Sequence, residues 1–246
     1  MEASWLVILL RTGVQILAFP IYLLWYLGLW DPFCKKAFPH LMARIAVFYN
    51  KMMFAKKKEL FSNLKDFAGP SGVLTLLEIG AGSGSNFEFY PARCQLICND
   101  NNDNFSKFLV KTLSQHPHLQ LERHVIAPAE DMPQIPNSSV DVVVCTLVLC
   151  SVESTERVLK EALRVLRPGG AFYFMEHVAA APFSWDLFWQ QIYDPVWQIL
   201  FDGCHLARET WRDLEKAGFS ELKLWHTRAP LKWHPTQPHI IGYAVK

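Results

Sequence analysis

The chain has 246 residues, with 24 basic and 23 acidic side chains and a formal net charge of +1. It therefore lacks the global basic field that draws a protein to nucleic acid, and its length suits one domain with an appendage. Its six cysteines form no C-x-x-C pair and no cysteine–histidine set at zinc-finger spacing. Neither a disulfide scaffold nor a metal site is expected, and the cysteines read as reduced thiols.

Hydrophobic residues make up 51% of the chain, and the excess is concentrated at the N-terminus. Residues 5–30 read WLVILLRTGVQILAFPIYLLWYLGLW. That is long enough to cross a bilayer, for which about 20 apolar residues are needed. Trp5, Trp25, Tyr26 and Trp30 stand near its ends, where aromatic rings favour the membrane interface. With Glu2 and no basic residue before it, and no small-residue cleavage site after it, the stretch fits a cleaved signal poorly. Residues 1–32 are expected to be an uncleaved anchor that spans the bilayer or bends near Pro20 into one leaflet.

Residues 33–68 follow as a linker helix. Leu60, Phe61, Leu64 and Phe67 share one face, and Lys35, Lys36, Arg44, Lys51 and Lys56 to Lys58 supply positive charge. Such residues favour the cytoplasmic side and attract anionic headgroups; a helix packed on the domain is the other reading. The breaker cluster at residues 68–72 opens a catalytic domain over residues 69–246.

That domain starts with LTLLEIGAGSGSN over residues 74–86. A short apolar strand runs into a turn containing Gly80, Gly82 and Gly84, and a helix is expected to begin after it. Glycine permits positive φ and close approach of a ligand to the backbone. The spacing departs from the dinucleotide pattern G-x-G-x-x-G, because Ser85 stands where the third glycine belongs. The run from Glu78 to Gly84 instead resembles the first motif of S-adenosylmethionine methyltransferases.

Residues 95–100 predict a second strand ending on Asp100. An acid about 20 residues beyond the glycines accepts hydrogen bonds from ribose hydroxyls. A helix over residues 105–113 and a strand over residues 119–127 follow. Ala129 and Glu130 lie in the turn that borders the adenine in related methyltransferases, with backbone N–H groups as the expected contacts. Residues 140–145 form an apolar run suited to a strand buried on both faces, which would put Cys145, Thr146 and Leu147 at its tip beside the cofactor. A helix over residues 158–166 leads to a turn at residues 167–170 and a strand over residues 171–178. Trp185, Phe188, Trp189, Tyr193, Trp197 and Phe201 recur at roughly helical spacing, as a packing helix or as the wall of an apolar substrate pocket. A helix over residues 209–218 and two terminal strands, over residues 222–227 and 240–245, complete the chain.

A closer likeness runs along almost the whole sequence. CKKAFP (34–39), KKKELFSNLKDFAGPSG (56–72), DVVVCTLVLCSV (141–152), EHVA (176–179), FDGC (201–204) and PHIIGYAVK (238–246) resemble the methyltransferase-like seven family, the microsomal alkyl thiol S-methyltransferases, and most of all the A form. The resemblance implies an α/β class I Rossmann-like methyltransferase fold. Its sheet would be mostly parallel and seven-stranded, with an antiparallel terminal strand. It also implies methyl transfer from S-adenosylmethionine to small lipophilic thiols, on the endoplasmic reticulum and lipid droplets, with the catalytic domain facing the cytosol. Glu78, Gly80, Gly82, Gly84, Asp100, Ala129, Glu130 and Cys145 are the expected cofactor-binding residues. His177, Cys150 and Asp202 are candidates to assist catalysis, although methylation of a thiolate compels no acid–base pair. The alternatives are methylation of another acceptor, such as RNA adenine or a lipid, and a non-catalytic protein of the lipid-droplet membrane. No D/N-P-P-Y/F run of the kind used for adenine is present; residues 194–197 are a faint echo of one.

Overall fold

A computed structural model describes residues 5–232 and 234–246. Among the described residues seven strands form one sheet: β1 Leu74–Ile79, β2 Cys94–Asp100, β3 Leu119–Ile126, β4 Val140–Thr146, β5 Leu166–His177, β6 Glu221–Arg228 and β7 Pro238–Val245. Their order is β3-β2-β1-β4-β5-β7-β6. All neighbours are parallel except β7, which runs antiparallel to both β5 and β6. This is the expected Rossmann-like α/β architecture.

The central strands are buried on both faces because helices cover both. Side chains alternate along a strand, so Leu77, Ile79, Val143 and Cys145 pack toward α5 (Thr155–Val165), through Val158, Leu159 and Ala162. Leu76, Val142, Val144 and Tyr173 pack on the opposite face, against Tyr49, Met53 and Leu60 of α3 (Trp30–Leu60). The linker helix is thus built into the core of the catalytic domain, and the division at residue 32 falls inside α3. One polar residue interrupts the β4 run. Asp141 accepts the Thr75 N–H at 2.8 Å and is bonded by the Arg167 guanidinium, which also donates to the Phe67 carbonyl at 2.6 Å. Arg167 therefore ties three segments together, and residues 167–170 form the irregular start of β5 rather than a separate turn.

Of the two forms expected for residues 5–30 the structure has the bent one: α1 (Trp5–Leu17) and α2 (Phe19–Tyr26) meet at an angle of 68°, and two other local expectations are corrected. Proline at the start of α2 supplies no N–H to continue the α1 ladder. No helix follows the glycine turn, only a 3-10 turn over Phe87–Phe89, because Pro91 holds Tyr90 in extended backbone. Lys57, counted from sequence among the surface cations, is 2% exposed and donates to Asn50 and Asn86 at 2.6 and 2.7 Å.

The remaining helices are α4 (Ser106–Leu113), α6 (Trp185–Leu200) and α7 (Thr210–Lys216). α6 is the aromatic segment; α1 packs along it, and the Trp30 indole donates to the Ile199 carbonyl at 2.7 Å.

Candidate active site

The parallel strands deliver their C-terminal ends to one cavity of about 740 Å³, the position where open α/β sheets bind ligands. β1 leads into Gly80 and Gly82, β2 ends on Asp100, β4 ends on Thr146, and β5 ends on His177. Each of these residues lines the cavity, as do Ala129, Glu130, Cys150, Asp202 and Cys204. α3 closes one side with Phe38, Met42, Ile45 and Tyr49, and the end of α6 contributes Trp197.

Eight of the residues singled out from sequence are brought together here, and three are not. Glu78 lies behind the glycine turn, 2% exposed. Gly84 stands outside the cavity with φ +77, and a Cβ there would meet the Phe87 ring at 2.6 Å. Cys145 is fully buried among core side chains. Leu147, two residues on, takes its place in the wall with φ 57, an unusual backbone state for a bulky residue.

The turn has the features of a cofactor cradle. Gly80 has φ +63, and a Cβ there would lie 2.2 Å from Val148 Cγ2. Gly82 has φ +53 and open space above it, with nothing nearer than 3.8 Å. Asp100 fixes this loop: Oδ2 accepts the Gly82 N–H and Oδ1 the Asn102 N–H, both at 2.9 Å. Burial pushes the Asp100 pKa up, against the pull of those two N–H groups. Each carboxylate oxygen keeps a further lone pair for a hydroxyl. Glu130, by contrast, spends Oε1 on the N–H groups of Glu153 and Ser154, at 2.8 and 3.3 Å.

Behind the turn lies a polar hub that the sequence did not reveal. Asn86, with no exposed surface, donates to Glu78 Oε1 at 2.8 Å and to Thr146 Oγ1 at 2.9 Å, and accepts from Lys57. Burial raises the Glu78 pKa to about 7 and lowers that of Lys57 to about 8. The hub couples β1, β4 and α3 directly beneath the cavity floor.

The other end of the cavity carries sulfur and imidazole. The Cys204 Sγ lies 3.0 Å from His177 Nε2, receives the Trp197 indole N–H at 3.3 Å, and lies 3.6 Å from Cys150 Sγ. The neighbouring Cys150 thiol, followed by His177, holds Cys204 well below the usual thiol range. At His177 burial opposes charge, yet the Cys204 sulfur outweighs it and the pKa is raised. His239, bonded to the Tyr49 hydroxyl at 2.8 Å, is pushed down to about 4 by burial. Cys150, His177 and Cys204 bring three potential metal ligands within 4.8 Å of one another, a grouping the linear spacing of the cysteines concealed. Cys204 was not singled out from sequence, although it ends the FDGC run. Positive φ at Asp202 and Gly203 turns it into the cavity.

An open glycine, a buried ribose-accepting acid and a floor at the strand ends fit an adenosyl cofactor. Fold and site together define an S-adenosylmethionine-dependent methyltransferase of the Rossmann-like class. A family model described as a methyltransferase domain matches residues 77–174. Among solved structures, the CurJ carbon methyltransferase aligns with TM-score 0.64 at 19% identity, covering 89% of this chain and 61% of that one. The N-methyltransferase NodS of Bradyrhizobium japonicum, solved with S-adenosyl-L-homocysteine, aligns with TM-score 0.53 at 14% identity, covering 78% and 86%. At these identities the likeness is one of fold. The human thiol S-methyltransferase TMT1A is 59% identical over 240 residues, covering 98% of both chains. Human TMT1B is 52% identical over 241 residues, covering 98% of this chain and 99% of its own. The chain belongs to this thiol S-methyltransferase family.

Proposed function

We propose that the chain methylates small lipophilic thiols at a membrane surface. The observation that carries this reading is the composition of the cavity beyond the cofactor loop. Phe38, Met42, Ile45, Trp197, Phe201 and Leu231 wall it, and a small apolar acceptor is the natural occupant. When bound, S-adenosylmethionine would supply a methyl group to the sulfur of an acceptor thiolate, with S-adenosylhomocysteine as the leaving group. An alkyl thiol of pKa near 8.5 is only a few per cent thiolate at neutral pH. The chain's part is to collect and orient that fraction and to keep water away, which Trp197, Phe201 and Leu231 do by filling the space around the acceptor. Gly80, Gly82, Asp100 and the backbone of Ala129 and Glu130 hold the donor.

Purified protein, labelled S-adenosylmethionine and a simple alkyl thiol are expected to yield labelled thioether. Absence of label transfer in a preparation that binds the cofactor would reject the thiol acceptor.

The same elements support membrane residence. No single helix among the described residues is long and apolar enough to cross a bilayer, but α1 and α2 together are, as a bent pair. Leu9 and Ile16 on α1, Phe19 and Trp25 on α2, Phe183 just before α6 and Trp185 in its first turn are exposed. α1 packs on α6, whose Trp197 lines the cavity, so these side chains adjoin an element of the site. A bent pair inserted in one leaflet suits the cytosolic faces of the endoplasmic reticulum and lipid droplets, and would let lipophilic acceptors enter from the membrane. Wild-type protein is expected to float with phosphatidylcholine vesicles and to fractionate with reticulum and droplets in cells. Leu9→Glu/Ile16→Glu/Trp25→Glu is expected to remain in the soluble fraction while still binding cofactor. A variant that floats like wild type would remove the anchor from this reading.

A further inference from the structure

Two cysteines face each other in the wall of the cavity, and their chemistry goes beyond positioning an acceptor. Cys204 Sγ lies 3.6 Å from Cys150 Sγ, and both residues line the cavity. The segments that carry them are held together by backbone, since the His205 N–H donates to the Cys150 carbonyl at 2.8 Å. A Cβ on Gly203 would come within 3.0 Å of the Ser151 carbonyl oxygen, so no side chain separates the two segments there. The two sulfurs are not equivalent. Cys204 receives an indole N–H, which can only donate, and faces His177 at 3.0 Å. This is the setting of a thiolate, and Cys150 beside it is the thiol. The other four cysteines are buried and do not line the cavity.

A metal is the other candidate for this cluster, and two details disfavour it. The Nδ1 of His177 is buried without a hydrogen-bond partner among the described residues, whereas a metal-bound imidazole has its second nitrogen oriented by one. The separation of 3.0 Å between Nε2 and Cys204 Sγ is that of a hydrogen bond, and is shorter than the ~3.5 Å implied for two ligands sharing a tetrahedral zinc ion.

We propose that Cys204 and Cys150 are a redox-active dithiol that takes the disulfides of small lipophilic thiols as substrate, and that the resulting Cys150–Cys204 disulfide switches methyl transfer off. The proposal rests on the thiol-methylation reading for its ligand class, because the oxidised form of an acceptor meets the same apolar walls. The Cys204 thiolate attacks one sulfur of R–S–S–R. A Cys204–S–R bond forms, the R–S–S–R bond breaks, and the first thiolate leaves and takes up a proton. Cys150 then loses its proton and attacks Cys204 Sγ, forming the protein disulfide and releasing the second thiolate. The incoming disulfide is reduced by two electrons and the protein dithiol is oxidised by two. An added dithiol reductant reverses the change. Closing the sulfurs to ~2.05 Å draws Cys204 away from Trp197 and His177, which removes the polar end of the acceptor cavity. Methyl transfer then follows the redox state of the acceptor pool.

The test uses full-length protein in detergent, reduced, desalted and mixed with dibutyl disulfide. Wild type is expected to release two thiols per chain and to lose about 2 Da in intact mass, with peptide mapping linking Cys150 to Cys204. Cys150→Ser is expected to stop at a mixed disulfide with one thiol released, and Cys204→Ser to release none. In the oxidised wild type, methyl transfer to butanethiol is expected to be lost and to return with dithiothreitol, while binding of labelled S-adenosylmethionine is unchanged. A missing linkage, a linkage that leaves methyl transfer intact, or a stoichiometric metal that protects both thiols would each overturn the proposal. Mapping and thiol release are read without any methyl transfer. A protein that forms the linkage but never methylates a thiol would reject the acceptor assignment and keep the dithiol chemistry.

Discussion

Asp100→Ala is expected to weaken S-adenosylmethionine binding by at least about 100-fold. Hydrogen bonds to a charged acceptor contribute ~1.5–3 kcal/mol each, and about 1.4 kcal/mol corresponds to a factor of ten. Loss of two bonds to ribose hydroxyls therefore reaches that size. The substitution also releases the Gly82 and Asn102 N–H groups, both now held at 2.9 Å, so the loop loses its anchor along with its acceptor. Asp100→Asn separates the two effects. One amide oxygen can accept from one of those N–H groups, and the shape is kept while the charge is lost. An intermediate loss of affinity is expected for asparagine, with the folded state unchanged. Calorimetric titration of both variants is the measurement, and alanine affinity within threefold of wild type would remove Asp100 from the site.

The parts of this site that could be read from sequence are those where one residue type answers one local demand. Gly80 and Gly82 are needed where φ is positive, and an acid ends the second strand where it meets the turn. The positions of the strands along the chain could be read because each apolar run was bounded by breakers, whereas their order in the sheet came from the family resemblance. What stayed hidden depends on contacts across the sheet. Cys204 is 54 residues from Cys150, and nothing local marks it as facing that thiol. Lys57 sits within a run of three lysines that reads as surface charge. Only the packing of α3 over β1 and β4 shows that its ammonium points inward, and periodicity carries no information about where a flexible four-carbon stem ends. Cys145 was misplaced for a related reason. The strand does end near it, but alternation of side chains turns it toward α5 and leaves Thr146 and Leu147 facing the cavity.

Asn86→Ala is expected to cost about 3–5 kcal/mol of stability, more than a surface change in a loop can. Asn86 has no exposed surface, and its side chain meets three partners. Alanine leaves the buried Lys57 ammonium with Asn50 as its remaining hydrogen-bond acceptor, and takes from Glu78 the amide that bonds its Oε1. Lys57 and Glu78 are each 2% exposed, so water recovers little of the loss. For a chain of this size each kcal/mol corresponds to about 2–4 °C in Tm, so thermal unfolding is expected about 6–20 °C lower. Because the hub sits beneath the glycine turn, cofactor affinity is expected to fall as well, although Asn86 is not in the cavity wall. A double-mutant cycle with Lys57→Met isolates the interaction: removing both groups is expected to cost less than the sum of the single changes, by about 1–3 kcal/mol. Strictly additive effects, or a shift in Tm below about 3 °C for Asn86→Ala, would show that the hub contributes little and that the turn is held by its glycines and Asp100 alone.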